Sequence, residues 1–218
     1  ILILKQPDLG TAVLIGGIVL IMMFIAGVPL KYLVILGLGT VPVFALMIFK
    51  VGYRWRRILV FLNPWKDAGN TGYQITQSFI ALGSGGIIGK GLGQSVQKLY
   101  CLPESFTDFI FSIIGEETGF AGTLCILLLV AAFVCYGVKI SRRAPNPFAY
   151  LLGMGLTVMI GMQAVIHMGV VTGCLPTKGL PLPFVSFGGS SLVVSMTAAG
   201  LLVNISRRKK SKAKRFSL

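Results

Sequence analysis

The stretch GFAGTLCILLLVAAFVCYGV, residues 119–138, contains no Asp, Glu, Lys or Arg. Its length matches the roughly 20 residues a helix needs to cross the hydrocarbon of a bilayer. Four further runs free of those charges lie on either side of it, at residues 10–28, 32–49, 150–171 and 190–205. Apolar residues make up 55% of the chain, charged residues only 12%, and mean hydropathy is +0.85. A water-soluble domain of this size does not carry that balance. The fold class expected is all-α: a polytopic helical transmembrane protein whose residues 1–218 form one membrane domain.

Working outward from residues 119–138, the basic residues orient the spans. The turn KISRRAPN after the run and the tail RRKKSKAKR (within residues 206–218) read as cytoplasmic, because Lys and Arg accumulate on that side. Lys31 then also lies inside, and residues 50–118 form a long extracytoplasmic loop, with a second outer loop at 173–189. The opening ILILKQPDLG has no initiator Met and no secretory cleavage pattern, which reads as a start partway through a longer protein. The net charge of +14 is what such sorting produces, so nucleic acid is not an expected partner. The tail is drawn to anionic membrane lipid instead. No cysteine pair has metal-binding spacing; Cys125 and Cys135 read as small apolar fillers of a span, and a Cys101–Cys174 pairing stays open.

The outer loop opens with RWRR, a basic-aromatic cluster suited to the interface. Asn63-Pro64 and DAGNTG are turn signals. YQITQSFIAL, residues 73–82, places Ile75, Phe79 and Leu82 at helical spacing, the pattern of a short amphipathic helix on or in the bilayer surface. GSGGIIGKGLG, residues 83–93, fails the phosphate-loop pattern at both ends. Its glycines serve either close packing or an anion-binding nest.

Four of the six carboxylates gather in LPESFTDFIFSIIGEETG, residues 102–119: Glu104, Asp108, Glu116 and Glu117. Pro103 and Ser105-x-x-Asp108 before an apolar run fit a helix N-terminus. Asp108 is therefore either a cap or a functional acid. Carboxylates at the hydrocarbon edge need partners, and Glu117 is the expected structural ion-pair member. GCLPTKGLPLPFVSFGGSS, residues 173–191, is too rich in Pro and Gly for regular helix and reads as a cavity-lining segment. His167, the one histidine, is expected to satisfy a local hydrogen bond.

Together, QPDLGTA, LNPWKDAGNTGYQITQS, GKGLGQSVQKL, LPESFTDFIFSIIGEETG and LPTKGLPLPFVSFGGSSL resemble the SEDS family (shape, elongation, division and sporulation) over residues 6–204. IIGEE and LPTKG are closer to its division and sporulation members than to the elongation type. The resemblance implies the second half of a ten-helix membrane fold and a peptidoglycan glycosyltransferase that polymerises lipid II at the outer face of the bacterial cytoplasmic membrane. It implies action at the division septum, beside a class B penicillin-binding protein and other division proteins.

The family's essential aspartate matches Asp108, the expected general base. Arg54, Arg56, Lys98 and Lys178 are candidates to hold pyrophosphate, with a divalent cation (Mg or Mn) as the one cofactor to consider. Gln77, Glu104, Thr107, Ser186, Gly188 and Gly189 are further substrate-binding candidates. One departure is that the family pattern has Asn where this chain has His167. The rival functions are a lipid II flippase and a non-catalytic scaffold for the transpeptidase.

Overall fold

The structure is a computed structural model that describes residues 9–49, 52–97 and 106–207. Seven α-helices are present among them: α1 (Leu9–Ile25), α2 (Leu30–Phe49), α3 (Gly52–Leu62), α4 (Tyr73–Gly85), α5 (Ile110–Arg142), α6 (Pro147–Val171) and α7 (Gly189–Arg207). One 3-10 turn, Pro64–Asp67, separates α3 from α4, and no strand occurs among the described residues. The helices α5, α6 and α7 are long and apolar enough to cross a membrane. Apolar helix in α1 and in the first part of α2, before Pro42, is shorter.

The run that opened the sequence reading lies inside α5, but the helix starts well before it. α5 holds 33 residues, a contour of ~50 Å. It is broken at Gly119, whose φ of 69° and ψ of −164° only glycine adopts without strain. A break exposes backbone groups that must find partners in a water-poor setting. The glycine-rich loop supplies them. The amides of Lys90 and Gly91 donate to the carbonyls of Glu116 and Glu117, while those of Phe120 and Ala121 donate to Gly86 and Ile87. A Cβ on Gly119 would strike the backbone of Gly89 and Ile87, so the chains meet at backbone distance. Close packing is thus what those glycines do.

In hydrocarbon, helix pairs gain little from hiding apolar surface and pack through small residues. The α5–α6 seam follows that rule. Gly137 receives Thr157, and Gly153 receives the hydroxyl of Ser141, which would stand 2.5 Å from an added Cβ. Ser141 and Thr157 return their hydroxyl protons to helix carbonyls four residues back, Gly137 and Gly153, at 2.7 and 2.8 Å. Cys125 and Cys135 are exposed rather than internal fillers.

The helix α4 forms where expected, with one face packed into protein. It buries Ile75, Thr76, Ser78 and Ala81 against neighbouring helices. Ser78 donates to the carbonyl of Val171 at the end of α6, 2.9 Å away. A buried hydroxyl needs such a partner, so the polar residues of α4 point into protein. Behind the start of α5 a tight apolar cluster forms from Phe109, Phe111, Ile113, Ala164, Met168, Val171 and Leu182. It ties α5, α6 and the last irregular loop into one block.

Candidate active site

Five segments converge on a cavity of about 230 Å³. α3 brings Arg57, the turn before α4 brings Asn70 and Thr71, and α4 brings Gln74. Asp108 comes from the residues just ahead of α5, and Thr177 and Lys178 from the last loop. Each piece is positioned locally. The Asp67 carboxylate accepts from the Thr71 amide and the Asn70 side chain, both at 3.3 Å, which closes the turn. Gly72 is pressed on the Pro64 and Asp67 carbonyls, leaving no space for a side chain. Arg57 donates to the Thr177 carbonyl at 3.2 Å and so pins the loop to α3.

Asp108 stands ahead of the N-cap position of α5. The N-cap of α5 is Phe109, and its side chain makes no capping hydrogen bond. The acid stands one residue earlier, in the wall of the cavity. Its carboxylate packs on Gly179, where a Cβ would come within 2.6 Å of Oδ2.

The loop that carries Lys178 and Gly179 is irregular yet held at many points. Ser186 is its hub: Oγ accepts from the Leu182 amide and donates to the Thr107 carbonyl, both at 2.7 Å. The Phe187 amide donates to the Phe106 carbonyl at 2.9 Å. From α6, Gln163 donates to Pro181 at 2.9 Å, and Nδ1 of His167 lies 2.7 Å from the Leu180 carbonyl. A carbonyl can only accept, so Nδ1 carries the proton. Nε2 of this buried ring has no partner among the described residues. The expected local hydrogen bond of His167 is therefore present, and it clamps the site loop from beneath.

Residues 1–211 match the family described as "Cell cycle protein", FtsW/RodA/SpoVE. The chain belongs to that family. It is 48% identical to the "Probable peptidoglycan glycosyltransferase FtsW" of Geobacter metallireducens, over 96% of this chain and 56% of the relative. It is 44% identical to the "Stage V sporulation protein E" of Bacillus subtilis, over 95% and 57%. The chain thus spans little more than half the length of the curated relatives it matches. Among solved structures it is similar to one described under "Structural coordination of polymerization and crosslinking by a peptidoglycan synthase complex". That match has TM-score 0.74 and 29% identity, covering 94% of this chain and 57% of the other. A mutant of the rod shape determining protein RodA of Thermus thermophilus matches at TM-score 0.61 and 27% identity, covering 96% and 53%.

In this FtsW/RodA/SpoVE chain the expected site residues separate. Asp108 and Lys178 share the cavity. Arg56 is exposed and Arg57 takes its place, because successive residues of a helix point about 100° apart and only one faces the cavity. Arg54 lies on the same helix, its side chain outside the described residues. Gln74, one turn before Gln77, is the glutamine of α4 that lines the wall. Thr107 offers its carbonyl to Ser186, which is buried and makes both its hydrogen bonds within the chain. Ser186 therefore holds the loop in shape. Gly188 and Gly189 start α7 outside the cavity wall. Lys98 and Glu104 lie outside the described residues, as does Cys101. Arg57, Asn70, Thr71 and Gln74 were missed; the DAGNTGYQ turn ahead of α4 was the available signal for the last three.

Within the acidic stretch Glu116 makes an ion pair, a role the sequence had suggested for its neighbour Glu117. Glu116 is fully buried, and Oε1 meets Lys90 Nζ at 2.7 Å. Oε2 accepts from Ser95 Oγ at 2.6 Å and from the Gln97 amide at 3.3 Å. A buried carboxylate is tolerable only with such a complete set of donors. It welds the glycine-rich loop onto α5 beside the Gly119 break. Glu117 is half-buried on the next helical position.

Proposed function

We propose that the chain carries the extracytoplasmic catalytic centre of a peptidoglycan glycosyltransferase that polymerises lipid II. The observation that carries this is one carboxylate, Asp108, in a common cavity with the two cations Arg57 and Lys178. The family membership and the glycosyltransferase names of the relatives support it.

In this reading α1, α2, α5, α6 and α7 cross the bacterial cytoplasmic membrane and the Asp108 end faces outward. A sugar 4-hydroxyl attacks the anomeric carbon of a second lipid-linked sugar. Asp108 accepts the hydroxyl proton as the new C–O bond forms. The C–O bond to the lipid diphosphate breaks with its electron pair, and Arg57 and Lys178 stabilise the departing charge. Attack from the face opposite the leaving group inverts that carbon. A diphosphate leaves without the second, protonated carboxylate that glycoside hydrolysis needs. No group of three His, Cys, Asp or Glu gathers as a metal site among the described residues. A Mg or Mn ion would be held by Asp108 together with the substrate's phosphates, the usual mode for Mg, and would add charge neutralisation. A class B penicillin-binding protein at the septum would crosslink the strands.

The test uses full-length protein with its transpeptidase partner, labelled lipid II, and gel analysis of product. Asp108→Asn and Asp108→Ala should each lower turnover by at least about 10²-fold with folding and partner binding kept. Polymerisation at the wild-type rate by both variants overturns the assignment and leaves a flippase or scaffold.

A further inference from the structure

No Asp or Glu follows Glu117 in the sequence, whereas Lys139, Arg142, Arg143 and Arg207 gather where α5 and α7 end. The second half of the chain therefore contains no carboxylate able to neutralise them. At that end, opposite to Asp108 along α5, lies a separate cavity of about 300 Å³. Tyr136, Lys139 and Ile140 line it from α5, at the spacing of one helix face, and Arg143 from the residue that ends the helix. Ile205 and Ser206 close it from α7.

We propose that this cavity seats the phosphodiester headgroup of an anionic phospholipid in the leaflet at the basic end of the helices. Lys139 and Arg143 stand one turn apart on the same wall, spaced for one phosphate to meet both; Arg brings a planar fork of donors and Lys a point charge. The Lys139 ammonium sits 6.0 Å from the Tyr136 ring centroid, a contact that biases it toward the cavity. Ile140 and Ile205 give an apolar floor for the glycerol and first acyl carbons. Ser206 spends its proton on the Val203 carbonyl at 2.7 Å, so it bounds the cavity and is not a donor to phosphate. A merely solvated basic surface needs neither a recess between helices nor an apolar floor. Basic cavities between helices at this membrane face are where anionic headgroups bind.

The experiment titrates delipidated full-length protein in neutral detergent with phosphatidylglycerol and counts bound lipid by native mass spectrometry. Wild type should hold one phosphatidylglycerol in preference to phosphatidylcholine. The pair Lys139→Gln, Arg143→Gln should weaken that site about 30-fold, and Arg142→Gln, off the lining face, should not. Ser206→Trp, which fills the cavity and keeps every charge, should also remove the bound lipid. The proposal is overturned if the double variant or the filled cavity binds like wild type, or if Arg142→Gln loses as much. Equal retention of phosphatidylcholine overturns it too, as does displacement of the lipid by millimolar inorganic phosphate.

Discussion

The carboxylate of Asp108 rests on the bare Cα of Gly179, so closely that a Cβ there would stand 2.6 Å from Oδ2 and 3.3 Å from Cγ. Two segments some seventy positions apart thus share one small volume in the wall of the cavity. Gly179→Ala should push the carboxylate aside without disturbing a helix. Misplacement on the order of 1 Å costs about 10²-fold in turnover, while thermal unfolding in detergent should shift little. Lipid II polymerisation by the purified full-length variant measures it, and full activity would show that Asp108 does not need this position.

Arg57 both lines the cavity and holds the Thr177 carbonyl. Replacing it with Lys retains charge but loses the planar fork. Arg57→Lys should lower kcat about tenfold and Arg57→Ala about 10²- to 10³-fold. Arg56→Ala, on the exposed neighbour, should stay near wild type. Steady-state kinetics of the three variants would decide which arginine faces the substrate.

His167 gives its Nδ1 proton to Leu180, two residues from Lys178. An Asn amide, the residue the family resemblance implies here, places a donor at nearly the same point. His167→Asn should therefore keep activity, whereas His167→Leu should leave the Leu180 carbonyl unmet, costing about 1–3 kcal/mol and loosening the loop. Turnover and thermal stability of the two variants measure the difference; equal loss in both would show that ring volume, not the hydrogen bond, matters.

The buried Glu116 depends on Lys90, whose side chain is 36% exposed. Lys90→Met strips the charge partner from a carboxylate that stays in place. It should destabilise by about 2–3 kcal/mol, below the usual cost of breaking a fully buried pair because water reaches the lysine. Glu116→Gln removes the buried charge itself and should cost less in the Lys90→Met background than in wild type. A double-mutant cycle on thermal unfolding reads that coupling, and additivity would contradict it.

Gly119 takes φ 69° and ψ −164° with backbone packed against it. Gly119→Ala meets both backbone strain and collision, so loss of more than about 3 kcal/mol is expected. Gly37 on α2, with open space around its Cβ position, is the control: Gly37→Ala should be tolerated. Expression and monodispersity in detergent report the contrast.

Much of the site was legible because its chemistry is written in residue types that have few other uses in such a chain. In a membrane protein with six acids, a carboxylate ahead of an apolar helix stands out, and so does an irregular Pro-Gly loop with one lysine. Expectation and cavity lining differ in direction, not in segment. Arg57 and Gln74 differ from Arg56 and Gln77 by one position and by one turn, and helix phase relative to a cavity is a property of packing. Glu116 likewise meets Lys90 and Ser95 through packing that no local pattern shows.

Uncharged length and the scarcity of charge determined by themselves that this chain is helical and bound for a membrane. Those follow from transfer free energies, which depend on composition over about 20 residues. Only the tertiary structure decided that α5 breaks at Gly119, that Gly86–Gly91 heals the break, and that Asp108 lies on Gly179. Such contacts join distant residues through backbone approach and shape, and no local window of sequence holds both partners.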